Sequence, residues 1–204
     1  GRRNWRRAGL LLPCLLLAPA TAQAQEGELS EIIVTAERKA QSLQDAPISI
    51  VALDSSALEK IGATGLADIT NSVPNLQQIT WGVGTTTLRF YIRGIGQTDN
   101  QLLADTAVGV YVDGVYVARS SGLAANIPDL DRVEVLRGPQ GALYGRNTTG
   151  GAINLITKRP GKDFSASQTV RLGNYNFVKS TTIVNVPITD TLAVKGSFLY
   201  DKRD

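Results

Sequence analysis

Histidine is absent from the 204 residues, and cysteine occurs once, as Cys14. Without an imidazole, Ser-His-Asp and Cys-His nucleophilic chemistry and most zinc sites are excluded. The sequence also has no P-loop and no cluster of metal-ligating side chains, and Gly94-Ile95-Gly96 has no third glycine in register for a dinucleotide fingerprint. No enzyme, metal or cofactor is therefore expected. A spanning helix is missing as well: the apolar run Ala8 to Ala20 is 13 residues and contains Pro13, too short to cross a bilayer.

That run has another use. Arg2, Arg3, Arg6 and Arg7 precede it and Ala22-Gln23-Ala24 follows it, the order of n-region, h-region and A-x-A site in a secretory signal peptide. Cleavage is expected after Ala24. Cys14 follows Pro13 rather than a small residue and reads as an apolar member of the signal, not a lipidation site; Arg2-Arg3 reads as ordinary positive charge rather than a twin-arginine signal. Removing residues 1–24 takes away four arginines, so the 21 basic residues become 17 against 18 acidic ones. The basic balance is thus a property of the signal, and no Lys/Arg cluster with interleaved aromatics argues for nucleic acid. What remains has no cysteine to form a disulfide, even in an oxidising periplasm. Gly1 is not a start residue, so the chain is expected to lack some N-terminal sequence.

Glycine, by contrast, is concentrated. Val133 to Leu136 and Ala152 to Thr157 read as strands around a segment with Gly138, Gly141, Gly145, Gly150 and Gly151, which implies positive φ or close backbone approach at several positions. Pro139, Leu143 and Tyr144 interrupt the glycines, unlike a flexible linker. Upstream, Pro47 to Val51 reads as a strand, and Ser56-Ala57-Leu58-Glu59 as a capping box opening a short helix that Gly62 ends. A second helix is expected over Gly65 to Asn71 with Thr64 as N-cap, stopping before Pro74. Leu88 to Arg93 is a strand, and Val108 to Val117 a hairpin on an Asp113-Gly114 type I′ turn. These elements together predict an α+β domain.

Beyond Lys158-Arg159-Pro160-Gly161 the pattern changes. Phe164, Ala166, Gln168, Val170 and Leu172 alternate with Ser165, Ser167, Thr169, Arg171 and Gly173. Thr182, Val184 and Val186 alternate with Thr181, Ile183 and Asn185, and Leu192, Val194, Phe198 and Tyr200 with Ala193, Lys195, Ser197 and Asp201. Segments of about 9 to 11 residues with one apolar face fit strands of a transmembrane antiparallel β-barrel. A soluble sandwich alternates similarly. The turns are expected at Asn174 to Asn176 and Pro187 to Thr191. Three strands cannot close a barrel, so the chain is expected to stop inside it.

V-E-V-L-R-G-P-Q-G-A-L-Y-G (133–145), G-G-A-I-N-L-I-T-K (150–158), Ile92-Arg93-Gly94-Ile95-Gly96 and Val110-Tyr111-Val112-Asp113-Gly114-Val115 occur in an order that resembles TonB-dependent outer-membrane receptors, over Glu31 to about Lys158. The resemblance implies a signal peptide (1–24), an N-terminal segment (25–44), a plug domain (45–160) and the start of an outer-membrane β-barrel (161–204). It identifies Glu31, Ile32, Ile33, Val34, Thr35 and Ala36 as the TonB box, a β-branched strand that a TonB-type periplasmic energy-coupling protein grips by strand addition; an ordinary first strand of the domain is the other reading. Gln25 to Ser30 is too short for the periplasmic signalling domain that some members carry ahead of the box, so transport without signalling is expected.

Arg93 and Arg137 each end an apolar strand, where an unpaired guanidinium is costly to bury. The resemblance makes them the residues that pair with barrel glutamates and hold the plug. Candidate substrate loops are Gln78 to Thr86, with Trp81, and Gly96 to Thr106, with Gln97, Asp99, Asn100, Gln101 and Asp105. The implied function is active import of an external nutrient, a ferric siderophore first, with cobalamin, an oligosaccharide or an aromatic compound as alternatives. A plugged channel or secretion protein without energy coupling is the competing class.

Overall fold

The structure, a computed structural model, describes residues 32–35, 39, 41–63, 65–80, 87–97, 105–119 and 128–202. Five strands form the central sheet: β3 (Ile50–Asp54), β9 (Leu130–Arg137), β10 (Gly151–Thr157), β7 (Val108–Val112) and β8 (Val115–Tyr116), in that spatial order. β9 runs antiparallel to both β3 and β10, and β10 runs parallel to β7. The remaining elements, introduced below, are numbered with these in chain order. V-E-V-L and G-A-I-N-L are nearly continuous apolar runs because β9 and β10 are covered on both faces.

The period of two sorts those faces. Val133, Val135, Ile153, Leu155, Val108 and Val110 point to one side, into a core with Leu58, Leu66, Ile69, Leu88, Phe90 and Ile92. Leu136, Ala152 and Tyr111 point to the other, under Tyr144. Each fully buried Val, Ile or Leu contributes about 1.5 to 3 kcal/mol. Glu134 and Asn154, opposite each other in the β9–β10 register, share the second face.

The first core is roofed by α1 (Ser55–Lys60), a 3₁₀ turn (Asp68–Ser72) and an antiparallel sheet of β4 (Leu76–Thr80), β5 (Leu88–Ile92) and β6 (Ile95–Gly96). Several expectations need correction here. The strand foreseen from Pro47 starts at Ile50, because proline has no N–H for a ladder. The cap of α1 is Asp54, not Ser56: its carboxylate accepts the Ala57 N–H at 2.7 Å, and Ser56 donates its hydroxyl to Asp54 as well. The second helix is a 3₁₀ turn, shorter than foreseen, and Thr64 lies outside the described residues. Gly62, with φ of 65°, ends α1 as expected.

The glycine stretch holds a helical turn, α2 (Gly141–Tyr144), that composition did not suggest. At Gly151, with φ of 150°, a Cβ would lie 2.3 Å from the Leu136 carbonyl oxygen, so only glycine fits there. The Asp113-Gly114 turn has φ of 47° and 83°, the type I′ signature.

Past residue 161, β11 (Ser165–Gly173), β12 (Phe177–Pro187) and β13 (Ala193–Lys202) form a separate antiparallel sheet. Its alternation is as read from sequence. Arg171, Lys179, Asn185 and Lys195 point toward the plug, whereas Phe164, Val170, Leu172, Val194, Phe198 and Tyr200 are exposed. The α+β plug followed by the first strands of a barrel is therefore the fold of this chain.

Candidate functional site

Ile33–Val34 forms β1, paired antiparallel with β2 (Gln41–Ser42), and the Leu43 N–H extends the hairpin to the Ile32 carbonyl. The pairing strand is thus local, whereas the contacts that follow are long-range. Val34 is fully buried, while Ile33 remains half exposed. Thr35 donates its backbone N–H to Glu134 Oε1 and its hydroxyl to Glu134 Oε2, both at 2.8 Å. Its carbonyl accepts the Tyr144 hydroxyl at 3.3 Å. Glu31 and Ala36 lie outside the described residues.

Glu134 is fully buried, and an isolated carboxylate there would be prohibitive. Four donors satisfy it. Beyond the two from Thr35, Arg132 Nε meets Oε1 at 2.8 Å and Asn154 Nδ2 meets Oε2 at 3.3 Å. Asn154 Nδ2 also reaches the Tyr144 hydroxyl at 2.9 Å, and Arg132 turns its Nη1 to Asp131. Register brings this network together: Glu134 and Asn154 are cross-strand partners, and α2 lowers Tyr144 onto the same face. A glutamate between two valines was the available sequence signal, since only a paired carboxylate persists in a strand buried on both sides.

The two arginines differ. Arg93 is not the last residue of an apolar strand but the first central residue of a type I′ turn between β5 and β6, with φ of 53° followed by Gly94 at 79°. It is exposed, and its Nη2 donates to Ser49 Oγ at 3.1 Å. Arg137 does end β9 and is half buried; its Nη1 faces the Pro74 carbonyl at 3.5 Å, and its buried Nε has no hydrogen-bond partner. Both lie beside Ser49, whose carbonyl takes the Arg137 N–H. Among the described residues neither guanidinium meets a carboxylate.

Of the loop candidates, Trp81, Asp99, Asn100 and Gln101 lie outside the described residues. The Gln97 carbonyl accepts the Tyr91 hydroxyl at 2.6 Å, and the exposed Asp105 carboxylate accepts from Asn147 Nδ2 at 3.1 Å. The structure does not bring Gln97 and Asp105 into one described site.

Sequence reasoning missed the residues that join the plug to the outer sheet. Asn185, almost fully buried on β12, accepts the Gly161 N–H and donates to the Gly161 and Asp163 carbonyls, clamping the connection between them. Lys195 on β13 forms a largely buried ion pair with Asp129, just before β9. A cavity of about 250 Å³ lies where α1 and the 3₁₀ turn meet this sheet, lined by Leu58, Leu66, Ile69, Arg171, Lys179 and Leu199 among others. That is below the roughly 300 to 1,000 Å³ of typical small-molecule sites, so it is a packing gap rather than a substrate pocket.

Comparison with known proteins gives a match to the TonB-dependent Receptor Plug Domain over residues 42–152. The Catecholate siderophore receptor Fiu of Escherichia coli (strain K12) is 30% identical over 161 residues, covering 78% of this chain and 20% of the receptor. The Pesticin receptor of Yersinia pestis is 33% identical over 156 residues, covering 74% of this chain and 22% of that protein. The crystal structure of the ferric yersiniabactin uptake receptor FyuA from Yersinia pestis superposes with a TM-score of 0.65 at 27% identity, covering 74% of this chain and 24% of that one. The chain thus spans about a fifth of the length of the curated relatives it matches.

Proposed function

We propose, from the premise that this chain belongs to the TonB-dependent receptor plug domain family, that it is the plug-bearing part of an active transporter in the outer membrane of a Gram-negative cell. The protein imports an external nutrient and makes or breaks no bond in it. A ferric siderophore is the favoured substrate, in keeping with relatives named for a catecholate siderophore and for ferric yersiniabactin. Residues 1–24 direct export, 25–44 carry the TonB box at 31–36, 45–160 form the plug, and 161–204 begin the barrel. Substrate on the loops at 78–86 and 96–106 makes the box available in the periplasm. A TonB-type protein then adds its own strand to the box and pulls, and the plug rearranges to open a path.

The observation that carries this reading is the state of residues 32–35: a β-branched strand with only a two-residue partner in its own sheet, held to the plug by hydrogen bonds that another strand could replace. Arg93 and Arg137 support it. They gather at one end of the plug without a carboxylate among the described residues, which suits pairing with acids of the barrel.

The test is Ile33→Pro in the full-length receptor, which removes a main-chain donor and fixes φ in the segment to be gripped. Uptake should be abolished while substrate binding at the cell surface persists. Normal uptake by this variant would sink the assignment and favour a plugged channel without energy coupling.

A further inference from the structure

The Glu134 side chain does more than the sheet requires. A strand carboxylate that merely satisfied its neighbours would need Arg132 and Asn154, both on the central sheet; here both oxygens also bind Thr35, which lies 99 residues away in sequence. Thr35 is gripped through every polar group it has: N–H and hydroxyl by Glu134, carbonyl by Tyr144. The contacts fall at the junction between the buried Val34 and the chain that follows, while the hairpin on the other side of Val34 is only two residues long per strand.

We propose that Glu134, supported by Tyr144, is the positioning residue that latches the box onto the plug in the resting receptor, and that release of Thr35 from it is the step that frees the segment for its partner. The inference rests on the reading of residues 31–36 as the box and deepens it: a surface-exposed strand would be available to the coupling protein at all times, whereas a latched one is offered only when the plug changes. The energetics suit a switch. Hydrogen bonds to an ionised acceptor are roughly twice as strong as neutral ones, enough to keep the segment down, yet few enough to be lost together. The anchor is rigid, because Glu134 stands on the doubly covered β9, in register with Asn154 on β10.

Labelling at Val34 tests this. Val34→Cys in the full-length receptor, with every other cysteine replaced by serine and assayed in isolated outer membranes, gives a single reporter that is buried when latched. Its reaction with a small maleimide should be slow. Thr35→Val deletes one charge-assisted bond and should speed labelling about tenfold or more, whereas Thr35→Ser keeps the hydroxyl and should label at the parent rate. Glu134→Gln should also speed it about tenfold or more by making both Thr35 bonds neutral. The sheet should tolerate that change, because Asn154 has an unpartnered Oδ1 that can turn to accept from the new amide. Combined, the two substitutions should fall short of the product of their separate effects, since they act on one interaction. A control reporter, Val135→Cys, fully buried on the same strand, should stay slow in every background.

Parent-like labelling in both Thr35→Val and Glu134→Gln would overturn the latch, leaving β1–β2 pairing as what holds the segment. Acceleration of Val135→Cys by Glu134→Gln would overturn it too, by making Glu134 a residue of sheet integrity. Labelling does not depend on transport, so failure here is distinct from failure of the coupling assignment, which uptake by Ile33→Pro decides.

Discussion

Deleting the outer sheet should turn a self-associating chain into a soluble monomer, a counter-intuitive result for a truncation that removes 43 residues (162–204). Six side chains on the outward face of β11 and β13 and just before β11, Phe164, Val170, Leu172, Val194, Phe198 and Tyr200, are 48% to 75% exposed. Full burial of such a side chain contributes about 1.5 to 3 kcal/mol, so at roughly six-tenths exposure each offers about 1 to 2, and the face about 6 to 12 kcal/mol. Association in water costs about 4 to 15 kcal/mol in lost freedom, so two such faces meeting overcome it, and the unpaired edges of β11 and β13 add backbone hydrogen bonds.

The truncation has its own cost. It removes the Lys195–Asp129 pair, the Asn185 clamp and the Arg171 contact to the Gly62 carbonyl, and it uncovers Leu58, Leu66 and Ile69 from one side. The shorter chain should therefore be monomeric but more loosely packed. Size-exclusion chromatography of residues 25–161 and 25–204 without detergent decides it. The shorter chain should elute as a monomer and the longer one as higher species that detergent resolves. A monodisperse, detergent-free monomer of 25–204 would mean that the exposed face is not built for lipid, and the barrel reading would fall.

Two further outcomes are expected. An Arg93→Ala, Arg137→Ala double variant of the full-length receptor should raise small-ion conductance in planar bilayers. If barrel acids are left unpaired, the plug loses up to about 3 to 5 kcal/mol, less on the Arg93 side, where the guanidinium is exposed; a variant as closed as the parent would make both arginines ordinary solvated charges. Asp54→Ala should lower the stability of residues 25–161 by about 1 kcal/mol through loss of the α1 cap. The Ala57 N–H, and then the Ser56 hydroxyl, hold the Asp54 carboxyl below its ordinary value of 3.8. Its stabilisation is therefore complete above that value and lost as pH falls through the lower, folded one. Melting curves of parent and variant should accordingly differ by a constant amount near neutral pH and converge in acid; a gap that widens in acid would refute the cap.

Whatever depends on a few neighbouring residues was decided by the sequence alone. Asp113-Gly114 between alternating apolar arms specifies its turn, because only residues tolerant of positive φ fit both central positions. Alternation within each of β11, β12 and β13 specifies which side chains face out, since a strand has no other period. The crowding of glycine around 138–151 foretold close backbone approach, though not the helical turn α2 within it.

Tertiary structure decided the rest, where near-equal local options compete or where partners are far apart in the chain. Asp54 and Ser56 are both good caps, and the end of β3 on β9 selects the first. Arg93 looked like the end of a strand because nothing local says that β6 folds back beside β5 and takes Arg93-Gly94 as its turn. The box was legible as a β-branched strand. Its attachment was not: Thr35 reaches Glu134 and Lys195 reaches Asp129 only because separate sheets pack against one another, which is set by whole faces rather than by either residue's neighbours.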